Sequence, residues 1–493
     1  MGQARQRGKN REERIARIHA SYGVRPMTRE RYNAFIAWTR SPAAGMYGTE
    51  VEYFSAGEEV LIGAVVLDHT DEDYGYVSLG RDEKGRFRCI EMNSSMRRLP
   101  EAREALFKSL KKFVVTGQTT FPQGDVEGDP AGVDLFKPIV PEEKWHPSYK
   151  LMLQHDQWSP AVGVLQEMMR HFIDIDGNFV QQFQTTAFDS RLWELYLYAY
   201  MVEEALFIER PKPAPDFSVS RGAKKVFIEA VTVGPTDNRI ATPEDAPQLR
   251  SMEEIRELLK TKIPIKFGSA LYSKMKRKPE PYWALPEVSG HPLVFAIADF
   301  HEKQSMTWTF PGLLEYLYAV THDFTFDSAG QLVISKLKLE RHEYEAKSIP
   351  SGFFFQPDSD NVSAVLFTSS GTMSKFNRMG RLAGFGIENM KLVRKGVCHD
   401  HSPNAALPRA FTHEVEHGKC TETWAEGLSM FHNPNARHPV PEHLFPSIAH
   451  HHFIDGKIMS RVPDFHPYAS FTWNVKFTDA KSENSKSRGQ APQ

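Results

Sequence analysis

The sequence predicts an α/β (α+β) protein, and one stretch of alternating element types carries this prediction. From residue 191 to residue 206, apolar side chains recur at three- and four-residue spacing, as in an amphipathic helix. Three short runs rich in Phe, Val and Ile follow at 207–209, 216–220 and 225–233, with prolines and a glycine between them. The last run, VFIEAVTV, is apolar in both alternating sets of side chains, which is typical of a strand buried at the centre of a sheet.

Three acids fall on these elements. Glu194 lies on the helix, Asp216 follows Pro215 at the start of the second strand, and Glu229 lies in the most apolar strand. A carboxylate in a buried strand is costly to ionise without a partner, and acids that converge repel one another. A divalent cation resolves both problems, and ligands that are all oxygen favour Mg²⁺ or Mn²⁺ over zinc. The three acids are therefore the candidate metal ligands.

A helix with Glu194, the pair Pro215 and Asp216, and Glu229 in an apolar strand together resemble the PD-(D/E)xK nuclease superfamily. The resemblance implies a restriction-endonuclease-like core of helix, three strands, helix and strand, with the second helix within 252–278 and the last strand within 292–300. It also implies a Mg²⁺ (or Mn²⁺) ion on the three acids that activates a water for attack on a DNA phosphodiester. Restriction or phage defence is the setting that the resemblance suggests.

The sequence departs from the superfamily at one position. The motif has a lysine two residues after the strand acid, which helps to position the nucleophile and neutralises charge in the transition state, and here that position is Val231. Some members of the superfamily supply this charge from the following helix instead. That alternative predicts Lys274 as the catalytic lysine, with Lys276 as the second choice.

The formal net charge of −2 shows no overall basic bias, so a DNA-binding surface has to be local. One segment beyond the third strand is rich in Lys and Arg, and it adjoins the predicted metal site. The DNA-contact candidates from this segment are Lys262, Lys266, Lys276, Arg277 and Lys278. Because many nucleases of this superfamily pair two active sites, the resemblance also suggests a homodimer.

The remaining sequence suggests a division into six parts. An N-terminal α+β module and a C-terminal extension flank the nuclease-like core, and two runs of the extension, 352–380 and 426–441, either pair to extend the core sheet or build a separate lobe. The predicted parts are a basic helical arm (1–44), a small α+β module (45–116), a linker (117–150), the PD-(D/E)xK-like core (151–330), a C-terminal α/β extension (331–480) and a disordered tail (481–493).

Composition bears on the compartment. The three cysteines, Cys89, Cys398 and Cys420, are odd in number and far apart, which argues against a disulfide framework and predicts a reducing cytoplasm. The basic start lacks the apolar core of a secretory signal, and no apolar run is long enough to span a bilayer. We therefore expect a cytoplasmic protein without a membrane partner.

Two other functions stay open. The run HEVEH, with His413, Glu414 and His417, resembles the HExxH motif of zinc metallopeptidases, although Gly418 and the β-branched neighbours make a poor helix. Other histidines, His399, His401 and 450–452, could join His413 and His417 in a structural or regulatory metal site, or be satisfied surface residues. The other alternative is a nucleic-acid-binding protein that keeps the nuclease fold without catalysis, and Val231 is its main support.

Overall fold

The structure is a computed structural model, and it describes residues 23–122, 132–210, 214–235, 248 and 250–477. It is a mixed α+β protein with several sheets. The chain divides into two compact units. Unit 1 comprises Met1–Leu135, Gly163–Asp174 and Leu382–Gly384, and unit 2 comprises Phe136–Val162, Ile175–Arg381 and Phe385–Gln493.

Unit 1 is built on an antiparallel sheet of five strands in chain order. Its strands are β1 (Val24–Pro26), β2 (Gly48–Ala56), β3 (Leu61–Asp68), β4 (Tyr74–Arg81) and β5 (Phe87–Met96), and its helices are α1 (Arg29–Ile36), α2 (Ala44–Tyr47) and α3 (Leu99–Val115). A turn at 82–86 joins β4 to β5. The predicted helical arm at 1–44 is described only from residue 23. The described part contains strand β1, which pairs with β2, as well as helix α1.

Helix α3 covers the sheet of unit 1. Leu106 and Leu110 are buried with Leu61 and Val65 in one apolar cluster. Gly63 permits this approach, because a Cβ at that position would lie 2.6 Å from a methyl carbon of Leu106. That Cβ would also lie 2.7 Å from the backbone oxygen of Val77 in β4, so a larger residue at position 63 requires the packing to shift.

Unit 2 contains the segment that the sequence analysis singled out. Its strands are β6 (Phe207–Glu209), β7 (Phe217–Arg221), β8 (Lys224–Val233), β9 (Leu293–Asp299), β10 (Val320–Phe326), β11 (Leu332–Lys338), β12 (Arg341–Tyr344), β13 (Lys347–Pro350), β14 (Ala364–Thr368), β15 (Met390–Cys398), β16 (Arg409–Glu414), β17 (Leu428–His432), β18 (Ala449–Ile454), β19 (Lys457–Arg461) and β20 (Pro467–Lys476). Its helices are α4 (Pro147–Gln154), the first residues of α5 (Ser159–Met169), α6 (Phe179–Gln184), α7 (Phe188–Glu203), α8 (Met252–Lys260), α9 (Lys262–Met275), α10 (Phe310–Tyr318) and α11 (Met373–Leu382, all but its last residue).

An eight-stranded sheet organises unit 2, in the order β19-β18-β17-β14-β9-β8-β7-β6. Strands β6, β7 and β8 form an antiparallel meander, and β8, β9 and β14 run parallel. The parallel centre agrees with the near-continuous apolar sequence of β8 and β9. Strands β16, β15 and β20 form a separate three-stranded sheet, and β10–β11 and β12–β13 are hairpins.

Helices cover strand β8 from both faces. On one face, Val231 packs with Phe267 and Leu271 of α9. On the other, Thr232 hydrogen-bonds Ser190 of α7, with 2.9 Å between the hydroxyl oxygens. Successive side chains of a strand point to opposite faces, so Glu229 shares the α9 face with Val231.

The C-terminal third extends this sheet. The sequence left two arrangements open for its runs at 352–380 and 426–441, and the structure has the one that extends the core sheet. Strands β14 and β17 pair with each other, and β14 pairs with β9. The predicted boundary between residues 330 and 331 lies in the turn between β10 and β11. The end of the predicted linker at 117–150 overlaps α4, and the predicted tail at 481–493 lies outside the described residues. None of the helices in the described ranges combines the length and the apolar character that crossing a bilayer requires.

Candidate active site

Asp216 lies immediately before β7, beside the acid of the neighbouring strand. The register pairs Phe217 with Ile228, which brings Asp216 next to Glu229 and Ala230. The backbone N–H of Ala230 donates a hydrogen bond to Asp216 Oδ2 at 2.7 Å. The turn and the strand pairing therefore hold Asp216 and Glu229 side by side.

Glu229 is only partly satisfied by the protein. It is 4% exposed. Lys274 Nζ at 2.5 Å and the Tyr282 hydroxyl at 2.6 Å both donate to Oε1. The other oxygen, Oε2, is buried and accepts no hydrogen bond from any described residue. A buried carboxylate oxygen without a partner is costly, and such atoms are often completed by a water or an ion.

Lys274 reaches Glu229 because of its position on α9. Leu271, three residues earlier and therefore on the same side of the helix, is buried against the sheet. Lys274 lies at the edge of this packed face, with its side chain 36% exposed. Val231, at the superfamily's lysine position, is buried in the apolar core instead.

Glu194 has partners of its own. Arg191 Nη1 donates to both of its carboxylate oxygens, at 2.7 and 2.9 Å, and Arg210 lies 3.6 Å away. Its helix, α7, approaches β8 from the face opposite to α9. A shared ion would require one carboxylate oxygen from each of the three acids to lie within 4.8 Å of the other two. Among the described residues, Glu194, Asp216 and Glu229 do not meet this condition. The structure thus brings together two of the three predicted ligands and pairs the third with arginine.

The electrostatics of the acids reflect their burial. Burial raises the pKa of Asp216 well above its ordinary value, and the carboxylates of Glu229 and Glu194 raise it further, against the Ala230 hydrogen bond and the charge of Lys274. Burial also raises the pKa of Glu194, although Arg191 and Arg210 oppose the shift. Mutually repelling buried acids are the arrangement that a bound cation relieves.

All four predicted catalytic residues line one cleft of about 510 Å³ in unit 2. Glu194 and Arg191 come from α7, Asp216 and Glu229 from the meander, and Lys274 from α9. No protein family model, no curated protein and no solved structure matches this chain. The chemistry of the cleft therefore has to be argued from its own residues.

The basic segment lies at the end of α9 and beyond it. Lys276 pairs with Asp358 at 2.5 Å, and the Arg277 guanidinium lies 4.9 Å from the centre of the Tyr282 ring. Lys278 is exposed, whereas Lys262 and Lys266 are partly buried. Three of the five DNA-contact candidates thus follow Lys274 within four residues, and the other two lie at the start of the same helix.

The HEVEH run does not form the helix that a zinc peptidase needs. His413 and Glu414 lie on β16, which pairs with β15, and His417 lies in the turn that follows. The two histidines therefore share no helix face. Glu414 is paired with Lys391 and Lys419. His399 is also satisfied elsewhere, since it hydrogen-bonds the hydroxyl of Tyr468 at 2.8 Å.

Sequence reasoning missed three residues of the cleft region. Arg191 carried a signal, because its spacing of three residues from Glu194 on one helix is typical of an ion pair. Arg210 and Tyr282 carried none, since they approach the acids through the fold rather than through local spacing. Tyr282 links the basic segment to the site, because its ring packs with Arg277 and its hydroxyl binds Glu229.

Proposed function

We propose that the chain is a Mg²⁺-dependent nuclease of the PD-(D/E)xK type that hydrolyses phosphodiester bonds in DNA. The order of elements supports a restriction-endonuclease-like core, because α7, the three strands β6 to β8, the helical segment ending in α9, and β9 follow one another as in that superfamily. A cytoplasmic location and a homodimer remain predictions from the sequence.

One observation carries the proposal. Glu229 is a buried carboxylate with Oε1 doubly hydrogen-bonded and Oε2 unsatisfied, and it lies beside a second acid, Asp216, whose pKa is raised. A purely structural acid would have both oxygens paired. The donor set that remains is oxygen only, which suits Mg²⁺ or Mn²⁺.

The residues of the cleft fit distinct roles. Asp216 and Glu229 would hold the ion, which keeps several waters of its own when two carboxylates bind it. When bound, Mg²⁺ supplies Lewis acidity to the phosphoryl group and lowers the pKa of a water. Lys274 supplies the positive charge that stabilises the negative charge developing on the phosphoryl oxygens. Tyr282 fixes the orientation of the Glu229 carboxylate.

Glu194 acts on this site from a distance. The charge of Glu194 raises the pKa of Asp216. Its hydrogen bonds with Arg191 also fix the position of that guanidinium. Arg191 lines the same cleft and is available to a phosphate oxygen once a substrate competes for its guanidinium. The exposed cations beyond α9, Lys276 and Lys278 among them, lie where a DNA backbone could continue from the cleft.

A nuclease fold that binds nucleic acid without cleaving it is the second candidate. The observation in its favour is that the acids already have internal cations, since Lys274 pairs with Glu229 and Arg191 with Glu194. A protein that keeps these pairs closed needs no metal to neutralise the cleft. The two candidates differ in metal-dependent turnover, not in DNA binding.

A cleavage assay separates them. Purified full-length protein is incubated with linear, circular and single-stranded DNA and with RNA, in Mg²⁺, in Mn²⁺ and in chelator. We expect metal-dependent cleavage of DNA that falls at least ~100-fold in Asp216→Asn and in Glu229→Gln. Glu209→Gln is the matched control, because Glu209 is an exposed acid of the same sheet that pairs with Lys225.

Binding without cleavage under every metal condition would favour the inactive protein over the enzyme. Cleavage that persists in folded Asp216→Asn and Glu229→Gln variants would overturn the proposed site. Circular dichroism and thermal unfolding of each variant establish that a loss of turnover is not a loss of fold.

A further inference from the structure

A second cluster of metal-ligating side chains lies at the far side of the eight-stranded sheet, away from the cleft. It consists of His432 at the end of β17, Glu442 in a single 3₁₀ turn (Glu442–Leu444), and His452 on β18. One ring nitrogen of each histidine and one carboxylate oxygen all lie within 4.8 Å of one another. None of the three lines the cleft that holds Asp216 and Glu229.

The sheet itself brings the two histidines together. Strands β17 and β18 are parallel neighbours, and Phe431 is the register partner of His451, so His432 and His452 follow side by side on one face. Their rings are stacked, with centroids 4.1 Å apart and an angle of 11° between planes. The segment between the two strands returns over them and supplies Glu442.

A chain of hydrogen bonds fixes which nitrogen of His432 has a free lone pair. The backbone oxygen of Phe445 can only accept, so His450 donates to it from Nε2 at 2.8 Å. The Nδ1 of a neutral His450 is therefore an acceptor, and it lies 2.8 Å from His432 Nε2. His432 donates through Nε2, which leaves its Nδ1 without a proton and ready to bind a cation.

Glu442 and His452 meet without a hydrogen bond. His452 Nε2 lies 2.9 Å from Glu442 Oε1, yet this nitrogen is buried and finds no hydrogen bond of acceptable geometry in the described chain. Arg461 approaches the other oxygen of Glu442, with 3.4 Å between Nε and Oε2. A nitrogen and a carboxylate oxygen this close to each other can both bind one cation that lies to the side of their contact.

The protonation states agree with this geometry. Burial lowers the pKa of His432, which keeps its imidazole neutral. Glu442 is partly exposed and lies 3.4 Å from the guanidinium of Arg461, which favours its ionised form. A neutral imidazole and an ionised carboxylate are the forms that bind a metal.

We propose that His432, Glu442 and His452 form a site for a divalent transition-metal ion, with Zn²⁺ the best fit. Two imidazole nitrogens and one carboxylate oxygen are a ligand set that zinc accepts, with water completing a tetrahedron. Mg²⁺ is excluded from this role by its preference for oxygen. The hydrogen bonds from His432 to His450 and from His450 to the Phe445 carbonyl hold His432 in its metal-binding tautomer. Hydrogen-bond partners of the ligands have the same effect in known zinc sites.

The site would connect the segment around Glu442 to strands β17 and β18, with which it forms no strand pairing. The ion would tie the returning segment at Glu442 to the two strands that it covers. This role requires no part of the nuclease proposal, and the two sites differ in the ion they select. Failure of one therefore leaves the other standing.

Cobalt(II) absorption tests the proposal directly. Full-length protein is freed of metal by dialysis against a chelator and titrated with Co²⁺, which absorbs visible light strongly in a four-coordinate site and only weakly as the hydrated ion. We expect one equivalent of Co²⁺ to give the strong band and one equivalent of Zn²⁺ to remove it. An excess of Mg²⁺ should leave the band unchanged.

Variants assign the ligands. His452→Ala and Glu442→Gln should bind at least ~100-fold more weakly, and both side chains are partly exposed, so these variants are chosen over the buried His432. His443→Ala is the matched control, because it removes an exposed histidine next to Glu442 and should bind as the wild type does. A wild type without the strong band overturns the proposal, and so does a folded His452→Ala that binds Co²⁺ as tightly as the wild type.

Discussion

Lys274 Nζ lies 2.5 Å from Glu229 Oε1, although 45 residues separate the two along the chain. The superfamily that the sequence resembles has its lysine two residues after the strand acid, where this chain has Val231. Here Val231 fills the core under α9, and the last turn of that helix delivers the cation to the same acid. The lysine that contacts this acid therefore comes from a helix and not from the strand itself.

The first prediction concerns this relocated cation. Lys274→Ala should lower metal-dependent DNA cleavage by about 10²- to 10³-fold, the range found when one stabilising group of a charged transition state is removed. Lys225→Ala is the control, because Lys225 pairs with the exposed Glu209 outside the cleft and its loss should change turnover by less than about threefold. Equal activity of wild type and Lys274→Ala in a single-turnover assay would remove Lys274 from the mechanism.

The second prediction separates the acids. Because Arg191 holds both oxygens of Glu194, Glu194→Gln should change Mg²⁺ affinity by less than about 10-fold, the lower limit for residues outside the ligand set. Asp216→Asn should abolish the binding that isothermal titration calorimetry detects in the wild type. Equal losses in the two variants would instead make Glu194 a direct ligand, as the sequence alone predicted.

The third prediction concerns a buried ion cluster beside α11. Glu422 accepts hydrogen bonds from Lys375 and Arg378 at 2.7 to 2.9 Å and lies 3.2 Å from Arg394, and all three cations are buried. Glu422→Gln leaves these cations without their shared anion, which should lower the free energy of unfolding by about 3–5 kcal/mol. Urea denaturation measures the change.

The control for this cluster is Glu416→Gln. Glu416 pairs with Lys419 at the surface, with both side chains nearly half exposed, and such pairs contribute about 0–1 kcal/mol. A Glu422→Gln variant no less stable than Glu416→Gln would show that the cluster is not a determinant of stability.

Burial lowers the pKa of several histidines, His171 among them, and the fourth prediction concerns the contribution of one of them, His146, to stability at acid pH. This residue caps α4 by accepting the N–H of Ser148, and burial lowers its pKa from 6.5 to about 4. The unfolded chain therefore binds a proton at a higher pH than the folded chain does, and stability falls as the pH drops from 6.5 towards 4. The full effect is up to ~3 kcal/mol at about 1.4 kcal/mol per pH unit.

His146→Asn tests this assignment. Asparagine is a good helix cap without a proton to gain, so the variant should keep α4 and lose part of the acid sensitivity. The measurement is the slope of unfolding free energy against pH for both proteins across this window. Identical slopes would exclude His146 as the titrating group.

The sequence was informative where local pattern decides structure. The helix at α7 and the strands β6 to β8 follow from periodicity, prolines and apolar runs. The helical segment before β9 and β9 itself were expected from the resemblance, and each element lies within a few residues of its predicted position. Lys274 was reached from the sequence through the resemblance, because some members of the superfamily supply this charge from the helix that follows the strand.

The remaining features depend on contacts between distant parts of the chain. Nothing local in the C-terminal third specifies that β14 inserts beside β9, because a short apolar strand can pair with several edges. Two partners of the acids, Arg210 of Glu194 and Tyr282 of Glu229, were likewise hidden, since they reach these acids only through the fold. The His432, Glu442 and His452 cluster joins three separate elements at spacings that match no simple motif.

The position of β9 limits how the chain can be divided. All seven of its residues are buried, and it is paired with β8 on one side and β14 on the other. A fragment ending near residue 330 would present one backbone edge of this strand to solvent, flanked by apolar side chains, which is a template for aggregation. A soluble piece that retains the cleft must therefore extend at least through β14, which pairs with that edge, and attempts to excise a shorter fragment should begin from that boundary.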